Sequence, residues 1–71
     1  MEFDYSKLLG KIKEVVGKQE ELAKKIKLSQ VTLNKKLNNQ GTFSQDTIIS
    51  IISELGIPFE EIPIYFFCTK S

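Results

Sequence analysis

KLSQVTLNKKLNN, running from Lys27 to Asn39, carries a helix start signal and an unusual outer face. Ser29 is a residue type that caps helix N-termini, and Leu33 and Leu37 stand four apart, about one helical turn. At about 100° per residue, Leu37 and Ser29 lie within roughly 40° of Leu33, while Val31 and Lys35 point almost directly away. Thr32 and Asn34 flank that outward direction. Gln30 sits in the first turn, where a long side chain reaches past the helix end. An ordinary solvated helix would show Glu and Lys here, not an apolar Val beside an Asn. Two readings account for the set. In the first, the amides pair with adenine, Lys donates to guanine and Val meets a thymine methyl in a DNA major groove. In the second, Val31 packs on a neighbour and the polar residues simply face water.

The chain around this stretch has 71 residues, with 41% apolar and 27% charged side chains. That is enough for one compact domain, near the lower limit for a core that stands alone. The start, MEFDYSKLLG, is acidic and lacks the apolar run of a signal peptide. No stretch approaches the roughly 20 apolar residues of a membrane span. The single cysteine, Cys68, cannot form an internal disulfide and fits a reducing cytoplasm. Charge is uneven: Lys7 to Lys36 holds nine Lys against three acids, whereas residues 37–71 hold one Lys against four acids. A basic half on a small domain is an electrostatic footprint for a polyanion, although helices also carry Lys for solubility.

Helical periodicity sets in early. Tyr5, Leu8, Leu9, Ile12, Val15 and Val16 form one stripe, with Asp4 as the expected N-cap and Gly17 as the stop. Gly10 lies inside this helix at a cost of up to about 1 kcal/mol against Ala. It marks either a close helix approach or a tolerated weakness. A short helix from about Gln19 to Ile26 turns Leu22, Ala23 and Ile26 inward. Lys27-Leu28 breaks the pattern, and Ser29 opens a third helix to about Leu37. NNQGTF is a loop by composition. Ser44 caps a fourth helix whose Ile48, Ile49, Ile51, Ile52 and Leu55 make it the most apolar and hence the central one, with Gly56 at its end. IPFEEI reads as one more helical turn with Pro58 near its start. The segment after Pro63, IYFFCTKS, is too short and too near the end to be expected as a further helix. The fold class is therefore all-α, four or five short helices in a single domain, with a hydrophobic tail over residues 63–71.

A helix of about eight residues, a turn of three or four, then a helix with a polar outer face is a helix-turn-helix layout, here over about residues 19–37. Ala23 is small where the two helices would cross, and Leu22, Leu28 and Leu33 would hold the pair together. With Gln19, Leu22, Ala23, Ser29, Leu33 and Asn38 on motif positions, the chain resembles the helix-turn-helix domain of phage repressor and Cro proteins from about Leu8 to Ile62. The block LNKKLNNQGTFS and the tail IYFFCTK look like small phage-encoded regulators of Gram-positive bacteria. The resemblance implies a double-stranded DNA operator read by the third helix. Gln30, Val31, Thr32, Asn34 and Lys35 would then face base edges. Gln19 would brace the recognition helix and touch phosphate, Ser29 and Asn38 would bind phosphates, and Lys18 and Lys36 would add sequence-independent attraction. This chain departs from the family in having Lys27 where Gly is usual in the turn, and Lys36 where an apolar residue is preferred. Leu37 must then make the closing contact.

Operator binding by such proteins commonly uses two copies. The tail supplies candidate homodimer contacts in Ile64, Tyr65, Phe66 and Phe67, as an extended segment packing across a two-fold axis; alternatively they close this chain's own core. No His, no metal-spaced Cys/His cluster, no Gly-rich phosphate loop and no activated nucleophile is present, so neither catalysis nor a cofactor is expected. The competing function is a protein-binding regulator, a modulator or antirepressor that keeps the fold but acts on a partner repressor.

Overall fold

The computed structural model describes residues 2–70. Five α-helices and one 3₁₀ turn follow in order: α1 Ser6–Val15, α2 Gln19–Lys25, α3 Gln30–Leu37, α4 Gln45–Leu55, the 3₁₀ turn Phe59–Glu61, and α5 Ile62–Phe66. The radius of gyration, 11.0 Å, is what a compact chain of this length gives, about 11 Å. Thirteen side chains form the core: Tyr5, Leu8 and Ile12 from the first segment, Leu22 and Ala23 from α2, Leu33 and Leu37 from α3, Ile48, Ile51, Ile52 and Leu55 from α4, then Ile57 and Phe66. The expected all-α architecture is the one observed.

Each helix begins and ends for a local reason. Ser44 Oγ accepts the Thr47 N–H at 3.2 Å, which satisfies one of the donors left open at the start of α4. Gly56, at φ 69°, ends α4 in the left-handed conformation that glycine adopts without penalty. The start of α1 differs from expectation. Tyr5 occupies the cap position without a side-chain bond, and Asp4 instead accepts the Ser6 N–H at 2.9 Å. The α1 stripe is also narrower than the periodicity predicts, because Leu9 and Val15 lie at its margins and are exposed. Ile49 of α4 likewise faces outward, 42% exposed.

The tail is the principal correction. Its first part, up to Phe66, is helical rather than extended, with Pro63 in the first turn of the helix, where the missing N–H leaves no ladder bond unmade. The Phe67 N–H reaches the Pro63 carbonyl at 3.1 Å. Helical spacing turns Phe66 into the core, 1% exposed, while Ile64 and Phe67 stay outside and Tyr65 is half-buried. Phe66 thus completes this chain's own core and offers nothing to a second copy. It stands edge-on to Phe43 at 5.4 Å between ring centroids, and Phe43 is edge-on to Tyr5 at 5.4 Å. Phe3 continues the series, tilted against Tyr5 at 6.1 Å and edge-on to Phe67 at 6.0 Å. Such edge-to-face pairs add about 0.5–1.5 kcal/mol beyond area burial.

The two ends of the described chain meet beside this series. Phe3 and Thr69 form an isolated antiparallel bridge. The Asp4 N–H donates to the Cys68 carbonyl at 2.6 Å and the Lys70 N–H to the Glu2 carbonyl at 3.0 Å.

Candidate functional site

The unit formed by α2, its turn and α3 is built around three apolar contacts. Leu22 and Leu33 are fully buried and Ala23 nearly so. Leu28 packs against the same core, partly buried. The turn is closed by a pair of backbone bonds: Lys27 N–H to the Lys24 carbonyl at 3.3 Å and Leu28 N–H to the Ala23 carbonyl at 2.9 Å. This is the double bond pattern of a helix C-terminus whose next residue is left-handed, and Lys27 has φ 59°. The position that glycine commonly holds therefore does need a positive φ, and a lysine adopts it.

Ser29 caps α3. Its Oγ accepts the Thr32 N–H at 3.1 Å and donates to Thr32 Oγ1 at 2.7 Å. Thr32 is therefore tied to the cap and half-buried, not presented like its neighbours. At the other end, Asn38 Nδ2 donates to the Asn34 carbonyl at 2.8 Å and to Asn34 Oδ1 at 3.2 Å. Lys36 is half-buried, and its Nζ donates to the Thr42 carbonyl at 2.6 Å. It therefore braces the loop leading to α4, while Leu37 makes the closing apolar contact, buried in the core.

What remains outward on α3 is Gln30, Val31, Asn34 and Lys35, all exposed. Val31 is 64% exposed, so the reading in which it packs on a neighbour within this chain is excluded. The face is short, mixed in polarity and centred on one apolar contact. Lys18, just before α2, is exposed and Gln19, its first residue, is half-buried. Lys24 lies 4.0 Å from Glu20 and 3.9 Å from Glu21; pairs this exposed contribute about 0.3–0.5 kcal/mol at most. Such a face can donate and accept hydrogen bonds and bury one methyl pair. That chemistry serves a base edge or a protein surface equally.

A second feature was not anticipated from the sequence. Phe43, Gln45, Ile48, Ile49, Phe59, Ile62 and Phe67 line an open groove of about 320 Å³ between α4 and the 3₁₀–α5 segment. The signal available was Phe59, an aromatic placed directly after Pro58 and before two acids, where a solvated turn would carry a polar residue. Among the described residues no helix is long and apolar enough to cross a membrane.

A family model described as "Protein of unknown function (DUF739)" matches residues 1–69. No curated protein matches the chain. Among solved structures, it is similar to the solution structure of the modulator of repression (MOR) of the temperate bacteriophage TP901-1 from Lactococcus lactis. The two are 42% identical with a TM-score of 0.82, over 94% of this chain and 90% of that one. The likeness is thus to a small phage regulator, and the family whose model matches is the one described as of unknown function.

Proposed function

The chain belongs to the family described as "Protein of unknown function (DUF739)", and from that premise we propose that it is a small phage regulator acting on a partner repressor protein. The observation that carries the reading is the extent of its likeness to a modulator of repression: 42% identity over 94% of the chain. Identity of that order over nearly the whole length includes surface positions as well as the core that any relative of the fold must keep. The outward face of α3, with Val31 at its centre and Gln30, Asn34 and Lys35 around it, is the surface assigned to the repressor. Val31 supplies an apolar anchor and the amides a polar rim, the usual make-up of a protein interface.

One observation favours a second reading, operator DNA. The α2–turn–α3 unit presents that same face on a capped helix, and nine of the ten lysines lie between Lys7 and Lys36. Two titrations on purified protein separate the readings. Mixed with a phage repressor, the chain is expected to form a complex that persists without DNA and weakens the repressor's hold on its operator. Retention of this chain alone on duplex DNA, falling steeply with salt, together with no association with the repressor, overturns the proposal in favour of DNA. Val31→Glu is expected to abolish the complex while leaving the fold intact, since Val31 lies outside the core.

A further inference from the structure

The groove between α4 and the 3₁₀–α5 segment belongs to no part of the α3 face, and none of its lining residues comes from α2 or α3. Its walls are apolar: Ile48, Ile49, Phe59, Ile62 and Phe67, with Phe43 at the base joining it to the aromatic series of the core. Phe59 is 68% exposed and Phe67 53% exposed, an unusual placement for two phenylalanines in so small a chain. Isolated exposed apolar side chains are ordinary, but a contiguous concave set is a mark of an interaction site.

Charge identifies the occupant. From Phe43 to Phe67 the chain contains four acids and no basic residue. Asp46 follows the groove residue Gln45, and Glu60 and Glu61 stand between the groove residues Phe59 and Ile62. Asp46 and Glu60 are exposed and Glu61 is half-buried. The remaining acid, Glu54, lines a different cleft together with Lys25 and Lys27. The apolar groove therefore has acids beside it in sequence on both of its walls and no lysine among its lining residues, which repels a polyanion and favours a cationic partner. The groove lies between α4 and the 3₁₀–α5 segment, and an amphipathic helix would offer it apolar anchors at positions i, i+3 or i+4 and i+7.

We infer that this groove is a docking site for a basic amphipathic helix of a protein partner. Its apolar anchors seat among Ile49, Phe59 and Phe67, and its Lys or Arg flanks meet Asp46, Glu60 and Glu61. The site does not depend on the repressor reading, and its test uses no repressor.

The test is an NMR titration of the isotope-labelled full chain with two synthetic helical peptides. Both carry Leu at i, i+3, i+4 and i+7; the remaining positions are Lys in one and Glu in the other. The Lys peptide is expected to shift the signals of Ile48, Ile49, Ile62, Phe59 and Phe67 and to bind at least roughly tenfold tighter than the Glu peptide. Phe59→Ser is expected to weaken it by roughly tenfold with an unchanged helical circular dichroism spectrum, and Ile49→Thr to act in the same direction. Glu60→Gln with Asp46→Asn should narrow the gap between the two peptides. Equal binding of both peptides, or shifts centred on Val31 and Asn34, overturns the inference. So do groove signals that move on dilution without peptide, because a second copy of the chain would then be the occupant.

Discussion

The side-chain amide of Asn39 pairs with both backbone polar groups of Phe3. Its Oδ1 accepts the Phe3 N–H at 2.9 Å, and its Nδ2 donates to the Phe3 carbonyl at 3.0 Å. Asn39 itself sits just past the end of α3 at φ 64°, with its N–H bonded to the Lys36 carbonyl at 3.2 Å and the Gln40 N–H to the Lys35 carbonyl at 2.8 Å. One residue therefore closes α3 and acts as a surrogate strand for the N-terminal segment. Asn is suited to both tasks, being tolerant of the left-handed region and carrying one donor and one acceptor in a plane.

Asn39→Ala is expected to lose about 1–3 kcal/mol, from two partly buried hydrogen bonds and a strained left-handed alanine. Asn39→Gly removes the bonds and keeps the conformation, so it should fall between wild type and Ala. Urea unfolding followed by circular dichroism gives both values, and an alanine variant as stable as wild type would show that the pairing contributes nothing.

Two positions, one within α1 and one in the turn after α2, are occupied against their local preference, in opposite senses. Gly10 is mid-helix and exposed, and a Cβ built there meets nothing within 4 Å. It therefore marks no close approach, and Gly10→Ala should raise stability by about 0.8–1 kcal/mol. Lys27 is left-handed, a conformation costing about 1–2 kcal/mol for a residue with a Cβ, of which glycine's own entropy takes back about half. Lys27→Gly should therefore stabilise by about 0.5–1 kcal/mol. The urea midpoint should rise in both variants with an unchanged slope.

Phe66 and Phe67 are neighbours with opposite roles. Phe66→Ala empties a site in the core and is expected to cost about 3–5 kcal/mol, a large share of the 5–15 kcal/mol available to a typical domain. Phe67→Ser removes a half-exposed ring and should cost about 1 kcal/mol or less. Thermal unfolding of the pair checks the helical placement of the tail, because an extended tail would reverse the order or make the two equal.

Asp4 adds a pH-dependent contribution at the acid end. The Ser6 backbone N–H, and then its hydroxyl, hold the Asp4 carboxyl below its ordinary value, with Lys70 and Lys7 adding smaller attractions. Because the folded value is depressed, the contribution is present above the unfolded value of about 3.9 and is lost as pH falls through the folded one. Melting temperature followed from pH 5 downward should therefore drop less steeply in Asp4→Asn than in wild type. Parallel curves would show that the Ser6 contact is not populated in solution.

The helices of the first 56 residues were legible from their apolar periodicity, and several of their ends from chemistry that acts locally. Ser29 and Ser44 accept the N–H three residues on, and Gly17 and Gly56 supply positive φ. Angle arithmetic gave the outward direction of α3, but whether Val31 packs on a neighbour or stays exposed was decided only by the fold. What escaped was tertiary. Five residues are too few to give a periodic signal, and α5, Ile62–Phe66, is anchored by Phe66 standing edge-on to Phe43 in the core. Spacing turns Thr32 outward and the resemblance gives Lys36 to phosphate, but hydrogen bonds to Ser29 and Thr42 hold the two side chains. The groove needed three segments distant in sequence to come together, which no local pattern encodes.

The separation of charge along the chain has a consequence for encounter rates. Lysines dominate α1 to α3, and the segment from α4 to α5 carries acids alone, so the two halves of this nearly neutral chain differ in sign. In the field of a charged partner it experiences a torque before any contact forms. A polyanion turns the α2–α3 end toward itself, and a cationic helix draws the groove. Orientation is thus settled during diffusion, over roughly the 8–10 Å reach of electrostatics at physiological salt. Added salt should then slow association far more than it hastens dissociation.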